Sequence, residues 1–285
     1  MRLGALALVV LLAGCPAIGP QGAVTPAPTP EPAPEAVPYP PGLGPWGVGD
    51  AAGLAAAHQA AIDDTAYTLV SNRTIRTANG SLRSRLFLRV RLAADREYLT
   101  TVRTAGPDAP VLLGVPPASA QYWSNGTTMA RVLTRDNRTR YARISPPDRF
   151  RATWRFWRST AAFGGVGGFA YETVRSLFGD VGTGLVATSE ADGARLYHLE
   201  AETVRNSDFA KVGSGPVRNL SLEATITERG LVRRFDLRYQ RRVEGEWVTV
   251  TWHVAYEDVG STTVERPPWF DRTGSRSGAQ DDSPS

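Results

Sequence analysis

The chain has 285 residues, a formal charge of +4 and a pI near 9.4, with one cysteine and three histidines. A single cysteine excludes a disulfide framework, and three histidines leave little material for a histidine-based active site or a metal centre. The positive charge rests on arginine, 31 of them against one lysine, Lys211.

At the N-terminus, Arg2 precedes an apolar run from Leu3 to Leu12 and then Leu12-Ala13-Gly14-Cys15. That order is the pattern of a secretory signal ending in a lipobox, with Cys15 as the thiol that takes the lipid. The run is too short to span a bilayer. Residues 1–15 therefore read as a lipoprotein signal peptide, and the rest as an extracytoplasmic protein anchored to the cell membrane through lipidated Cys15. Residues 16–45 hold 11 of the 21 prolines and almost no large aliphatics. Such text cannot build a core and favours an extended tether, with a reach of roughly 90 Å at about 3.1 Å per residue. The tail, 271–285, is Gly, Ser, Asp and Arg without periodicity and reads as disordered. Residues 46–270 remain for one folded domain.

In that domain Asp50 is placed to cap a helix with Leu54, Ala57, His58, Ala61 and Ile62 on one face. The period then drops to two. Leu82, Leu86, Leu88, Val90 and Leu92 share one strand face, and Arg83, Arg85, Phe87, Arg89 and Arg91 the other. Strands are expected at 67–77, 97–104, 120–124, 128–134 and 139–144, with Asn125-Gly126 marking a hairpin. A second block follows at 185–188, 195–203, 217–227, 231–242 and 247–256. Its turns are marked by Asp192-Gly193, Arg229-Gly230 and Glu244-Gly245. Between the blocks, residues 150–178 carry eight aromatics around Gly164-Gly165-Val166-Gly167-Gly168, which reads as two short helices joined by a loop. A long antiparallel meander curls, and its hollow side needs an apolar cover. The expected class is α+β: a curled antiparallel sheet, or half-open β-barrel, with helices covering the concave face.

Several strings here resemble those of surface lipoproteins of halophilic archaea, whose domain is similar to the LolA-like lipoprotein-carrier fold. They are residues 79–84 (Asn-Gly-Ser-Leu-Arg-Ser), 104–110 (Thr-Ala-Gly-Pro-Asp-Ala-Pro), Tyr122-Trp123-Ser124-Asn125-Gly126, Trp154-Arg155-Phe156-Trp157, Arg229-Gly230-Leu231-Val232-Arg233 and the run Val264 to Phe270. The resemblance implies a half-open barrel closed by helices, with room for acyl chains or other apolar ligands. It brings no established activity and no functional residue to transfer. The basic charge of this chain departs from the acidic habit of halophile proteins.

Five of the six asparagines stand in Asn-X-Ser/Thr sequons: Asn72, Asn79, Asn125, Asn137 and Asn219. With 43 serines and threonines in the chain, chance places about one there. The sequons read as N-glycosylation sites, against the alternative that they are turn-forming or strand-edge text. His58, His198 and His253 fall inside helix or strand patterns and read as structural. Asp63-Asp64 and the pair Glu200, Glu202 read as solvated carboxylates. No metal motif, phosphate loop or cofactor signature is present, and no enzyme is expected. The strand arginines, with Arg233, Arg234, Arg238, Arg241 and Arg242 on another strand, suit anionic head groups or, more simply, a wet face balanced by 28 carboxylates. Export argues against nucleic acid.

The aromatic segment is the candidate functional surface. Trp154, Phe156, Trp157, Phe163 and Phe169, with Trp123 nearby, are expected to line or gate an apolar pocket, or else to fill it as a dry plug. The functional expectation is a non-enzymatic, membrane-anchored lipoprotein that binds an apolar ligand or a lipidated partner. The alternative is an envelope sensor or structural surface protein with a filled core that binds another protein.

Overall fold

The computed structural model describes residues 39–144, 154–163, 170–191, 193–205 and 216–274, and of residues 162 and 163 the backbone alone. Cys15, most of the tether, Phe169, the glycine run at 164–168, Asp192 and the tail beyond 274 lie outside the described residues. Residues 38–285 make one compact unit, and 1–37 fall in another.

A two-stranded hairpin opens the described chain, β1 (Leu43–Gly44) and β2 (Gly47–Val48), followed by α1 (Ala51–Asp63). The Asp50 carboxylate accepts from the Ala52 and Gly53 amides at 3.0 and 2.9 Å, so the expected cap is in place. Next come β3 (Tyr67–Thr77), β4 (Leu82–Leu92), β5 (Tyr98–Ala105), β6 (Ser119–Ser124), β7 (Met129–Arg135) and β8 (Arg138–Ile144). Two helices follow, α2 (Trp154–Phe163) and α3 (Ala170–Asp180), and then β9 (Val181–Ala191), β10 (Ala194–Val204), β11 (Arg218–Thr227), β12 (Val232–Val243) and β13 (Glu246–Glu257). The domain takes in residues on both sides of the expected limits. Leu43 is buried in the main core, and a 3-10 turn at Phe270–Gly274 belongs to the folded part, where a disordered tail was expected from 271.

Eleven strands form one antiparallel sheet in the order β8-β7-β6-β5-β4-β3-β13-β12-β11-β10-β9. It is two meanders fused at the centre, where β3 pairs with β13 from Val248↔Thr77 to Glu257↔Thr68. The sheet is open, since β8 and β9 stand at its two ends. It curls around α1, α2 and α3, giving the α+β fold expected of the alternation. The inner face carries Leu69, Leu88, Val90, Val102, Leu199, Leu222, Ile226 and Val250, all at 1% exposure or less. Each such side chain contributes about 1.5–3 kcal/mol by leaving water.

Two glycines fix how the cover meets the sheet. Gly230, at φ 83° in the β11–β12 turn, sits so close to α1 that a Cβ would lie 2.5 Å from the Ala57 Cβ. At Gly47, φ 121°, a Cβ would run into the Thr183 carbonyl, which seats the β1–β2 hairpin against β9. The β12–β13 turn uses left-handed backbone at both Glu244 (φ 52°) and Gly245 (φ 85°), the two-residue geometry that matches the twist of a hairpin.

Candidate functional site

The inner face has two covers. The first is α1 with α3. Leu54 and Ile62 of α1 and Phe178 of α3 are fully buried, and His58 adds a polar tie, its Nδ1 accepting from the Val232 amide at 3.2 Å. Burial, helped by the Arg158 cation, pushes His58 down to about 3, so its ring is neutral at any ordinary pH. Burial likewise raises the Tyr67 phenol to about 12, and Tyr256, packed against both His58 and Tyr67, is raised as well. Between this pair of helices and the sheet lies a cavity of about 20 Å³ lined by apolar atoms of Leu69, Val174, Val232, Phe235 and Val254. It has room for about one water and none for an acyl chain.

The second cover is α2. Phe156, Trp157, Arg158, Ser159, Thr160 and Ala161 are all buried, so neighbours enclose this helix on more than one side. Ser159 and Thr160 satisfy their hydroxyls on the Phe156 carbonyl, both at 2.8 Å. One polar seam ties α2 to the sheet: Ser71 of β3 donates to the Ala161 carbonyl at 2.8 Å and accepts from the Trp252 indole N–H at 3.1 Å. Trp157 is 2% exposed, packed on Tyr122 of β6 with centroids 4.6 Å apart and on Phe156 at 4.9 Å. Its indole N–H finds no acceptor among the described residues. Trp154 lies half-buried under the guanidinium groups of Arg158, Arg155 and Arg96, at 4.9, 5.2 and 5.4 Å from its ring centre. Arg158 reaches Asp63 at 3.3 Å, so that carboxylate, half exposed as expected of a solvated one, is also the counter-ion of a buried cation.

Trp154, Phe156 and Trp157 are thus brought together under α2, whereas Trp123 is not. It belongs to a second cluster on the outer face, with Ala130 and Phe270, its ring 4.9 Å from Phe270. The reason is the strand period. Tyr122 and Trp123 are neighbours in β6, so only one can face the helices, and the register Thr100↔Tyr122 gives that side to Tyr122. The segment from Val264 to Phe270 crosses the outer face to cover Trp123, held by Trp269 Nε1 donating to Gln121 and Arg91 donating to the Thr263 carbonyl. Phe163 ends α2, and Phe169 lies outside the described residues.

Most outer-face arginines are tied within the protein. Arg83 pairs with Asp108 and Glu244, Arg89 with Glu257 at 3.8 Å, Arg234 with Asp236 at 2.7 Å, and Arg85 donates to Asn72 at 3.1 Å. Arg241 differs: it is 8% exposed and shares the inner face of β12, opposite Val248. His198 and His253 stand on the outer face, His198 lining a cavity of about 210 Å³ with Glu200, Glu223, Thr225, Arg234 and Asp236. His198 meets Ser189 at 2.7 Å and Thr225 at 3.5 Å, and His253 meets Asp236 at 2.8 Å. A hydroxyl, Thr225, stands behind His198 where a nucleophile-activating imidazole needs a carboxylate. Among the described residues no group of three or more His, Cys, Asp or Glu is placed to hold a metal. Sequence reading passed over the arginines of β7 and β8. Their signal was there, alternate positions in two facing strands.

Of the sequons, Asn79, Asn125 and Asn137 are exposed in the β3–β4, β6–β7 and β7–β8 turns, and Asn219 is exposed at the start of β11. Asn72 sits half-buried in the middle of β3.

Among solved structures the chain is similar to LprF from Mycobacterium bovis, at 10% identity and TM-score 0.38, covering 76% of this chain and 96% of that one. It is also similar to a LolA superfamily protein from Nitrosomonas europaea (9%, TM-score 0.23, 76% and 95%) and a DUF1329 family protein from Desulfovibrio piger (12%, TM-score 0.23, 77% and 95%). These likenesses are too distant to carry chemistry across. No curated protein matches the chain. The model of one family does, across residues 2–273, and the chain therefore belongs to DUF7537, a family of unknown function.

Proposed function

We propose that this protein is an exported lipoprotein, tethered to the cell membrane through lipidated Cys15, whose domain binds an apolar ligand or a lipidated partner beneath α2 without catalysing a reaction. Room for acyl chains or other apolar ligands is what its resemblance to surface lipoproteins of halophilic archaea implies. The observation that carries it is Trp157: a large ring wedged between α2 and the inner face, with a buried N–H that lacks an acceptor among the described residues. A buried donor left unpaired costs about 1–3 kcal/mol, and the ester carbonyl of an acylated guest is a fitting acceptor. No helix of the described residues is long and apolar enough to cross a membrane, which suits anchoring by lipid. The sequons suit a surface position. Asn79, Asn137 and Asn219 are exposed at one end of the sheet and Asn125 at the other.

A second reading, a filled core whose surface binds another protein, is favoured by the 20 Å³ cavity beneath α1 and α3, which is too small for a guest, and by the burial of Phe156 and Trp157 beneath α2. Native mass spectrometry of the membrane-purified chain separates the two. The lipid-binding reading expects a co-purifying apolar molecule that is lost in Trp157→Ala; a chain free of any guest, with unchanged tryptophan fluorescence on adding lipid, leaves the filled core. The same spectra expect a lipid adduct on Cys15 and glycan masses removed by Asn→Gln at the exposed sequons, 79, 125, 137 and 219.

A further inference from the structure

Three arginines on the inner face of the β7–β8 hairpin lack the partners that hold those of the outer face. Arg131, Leu133 and Arg135 of β7 and Arg138 and Arg140 of β8 share the inner face, with Arg135 directly opposite Arg138 and Leu133 opposite Arg140. Arg135 donates to the Leu113 carbonyl. Arg131, Arg138 and Arg140 have no hydrogen bond or ion pair among the described residues. A cavity of about 390 Å³ lies here, lined by Leu133, Arg135, Asp136, Arg138 and Arg140. Its one carboxylate, Asp136, is held in the turn at φ 49°. Like charges directly opposed across two strands are unfavourable, so this arrangement weakens the hairpin. Charge on β8 alone would suffice to keep an open edge from pairing with other chains. Edge protection gives no reason for Arg135 to face Arg138 from the inner strand.

We infer that the inner face of this hairpin is a binding site for a phosphate-bearing ligand. Planar guanidinium forks lining one cavity from two strands match the several oxygens and the double charge of a phosphate ester, which a lone carboxylate would fill only in part. The site adjoins the apolar space beneath α2 through Tyr122, which pairs with Arg131, and is tested apart from it because inorganic phosphate carries no acyl chain.

The test is calorimetric titration of the full chain, held in a nonionic detergent, with inorganic phosphate, glycerol 3-phosphate, dihexanoyl phosphatidic acid and dihexanoyl phosphatidylcholine. Saturable binding of the first three is expected, weakened about tenfold or more in Arg138→Gln/Arg140→Gln, since each lost charge-assisted bond is worth roughly a factor of ten. Arg138→Lys/Arg140→Lys, which keeps charge and loses the fork, should fall between, and Arg89→Gln/Arg234→Gln, which removes equal charge from the outer face, should bind as wild type. Phosphatidic acid binding more tightly than glycerol 3-phosphate identifies a lipid head group as the source; equal affinities identify a free phosphate ester. No saturable binding by any phosphate probe, or equal loss in the outer-face control, overturns the site. Phosphatidylcholine bound as well as phosphatidic acid, by wild type and hairpin variant alike, also overturns it while leaving the apolar reading intact.

Discussion

The two covers of the inner face are held in different ways. The α1–α3 pair is joined to the sheet by complete burial of Leu54, Ile62 and Phe178 and by a glycine turn that lets Gly230 press on Ala57. Helix α2 buries Phe156 to Ala161 and, among the described residues, is hydrogen-bonded to β3 at Ser71. It also keeps a tryptophan N–H without an acceptor among the described residues. One apolar wall thus carries a cover locked by shape and another fastened by a few polar links. A cover of the second kind is the one able to lift for a guest without unfolding the domain.

The largest effect expected on this contrast comes from Phe178→Ala. Removing a fully buried ring should cost about 3–5 kcal/mol and lower the urea midpoint of the whole domain. Loss confined to a few amides would mean that α3 is no more firmly held than α2. Acid should act on the same locked side. The folded state keeps His58 near 3 while the unfolded chain titrates near 6.5, so the unfolded state binds the extra proton and stability falls as pH drops below about 6.5, levelling off near 3. Between pH 7 and pH 5 this contributes about 2 kcal/mol, measurable as a falling urea midpoint that His58→Gln should flatten. The smallest change is Ser71→Ala, which unties Ala161 and Trp252 for about 1–2 kcal/mol. Amide exchange should then quicken in α2 while α1 and α3 keep their protection. Uniform quickening in all three helices would erase the distinction.

Much of this was legible in the residues. Alternation in Leu82–Leu92 sorted β4 correctly into a buried and a wet face, and Asp50 and Glu244-Gly245 marked a helix start and a turn that the structure contains. These signals are local: a side-chain period, a cap and a left-handed turn depend only on near neighbours in the chain. The candidate site was read less well. Trp154, Phe156 and Trp157 fall together because one helix carries them, whereas Trp123 was assigned to the wrong face because β6 has aromatics on both sides and its period cannot say which side the helices cover.

By itself, then, the sequence determined the strands, their turns and the helical insert. Only the tertiary structure decided that β3 joins β13 across 170 intervening residues, that Trp123 shelters under Phe270, and that four arginines of one hairpin face inward together. Each of these depends on register between strands far apart in the chain, or on which face a cover chooses, and no period of two or 3.6 residues contains that choice.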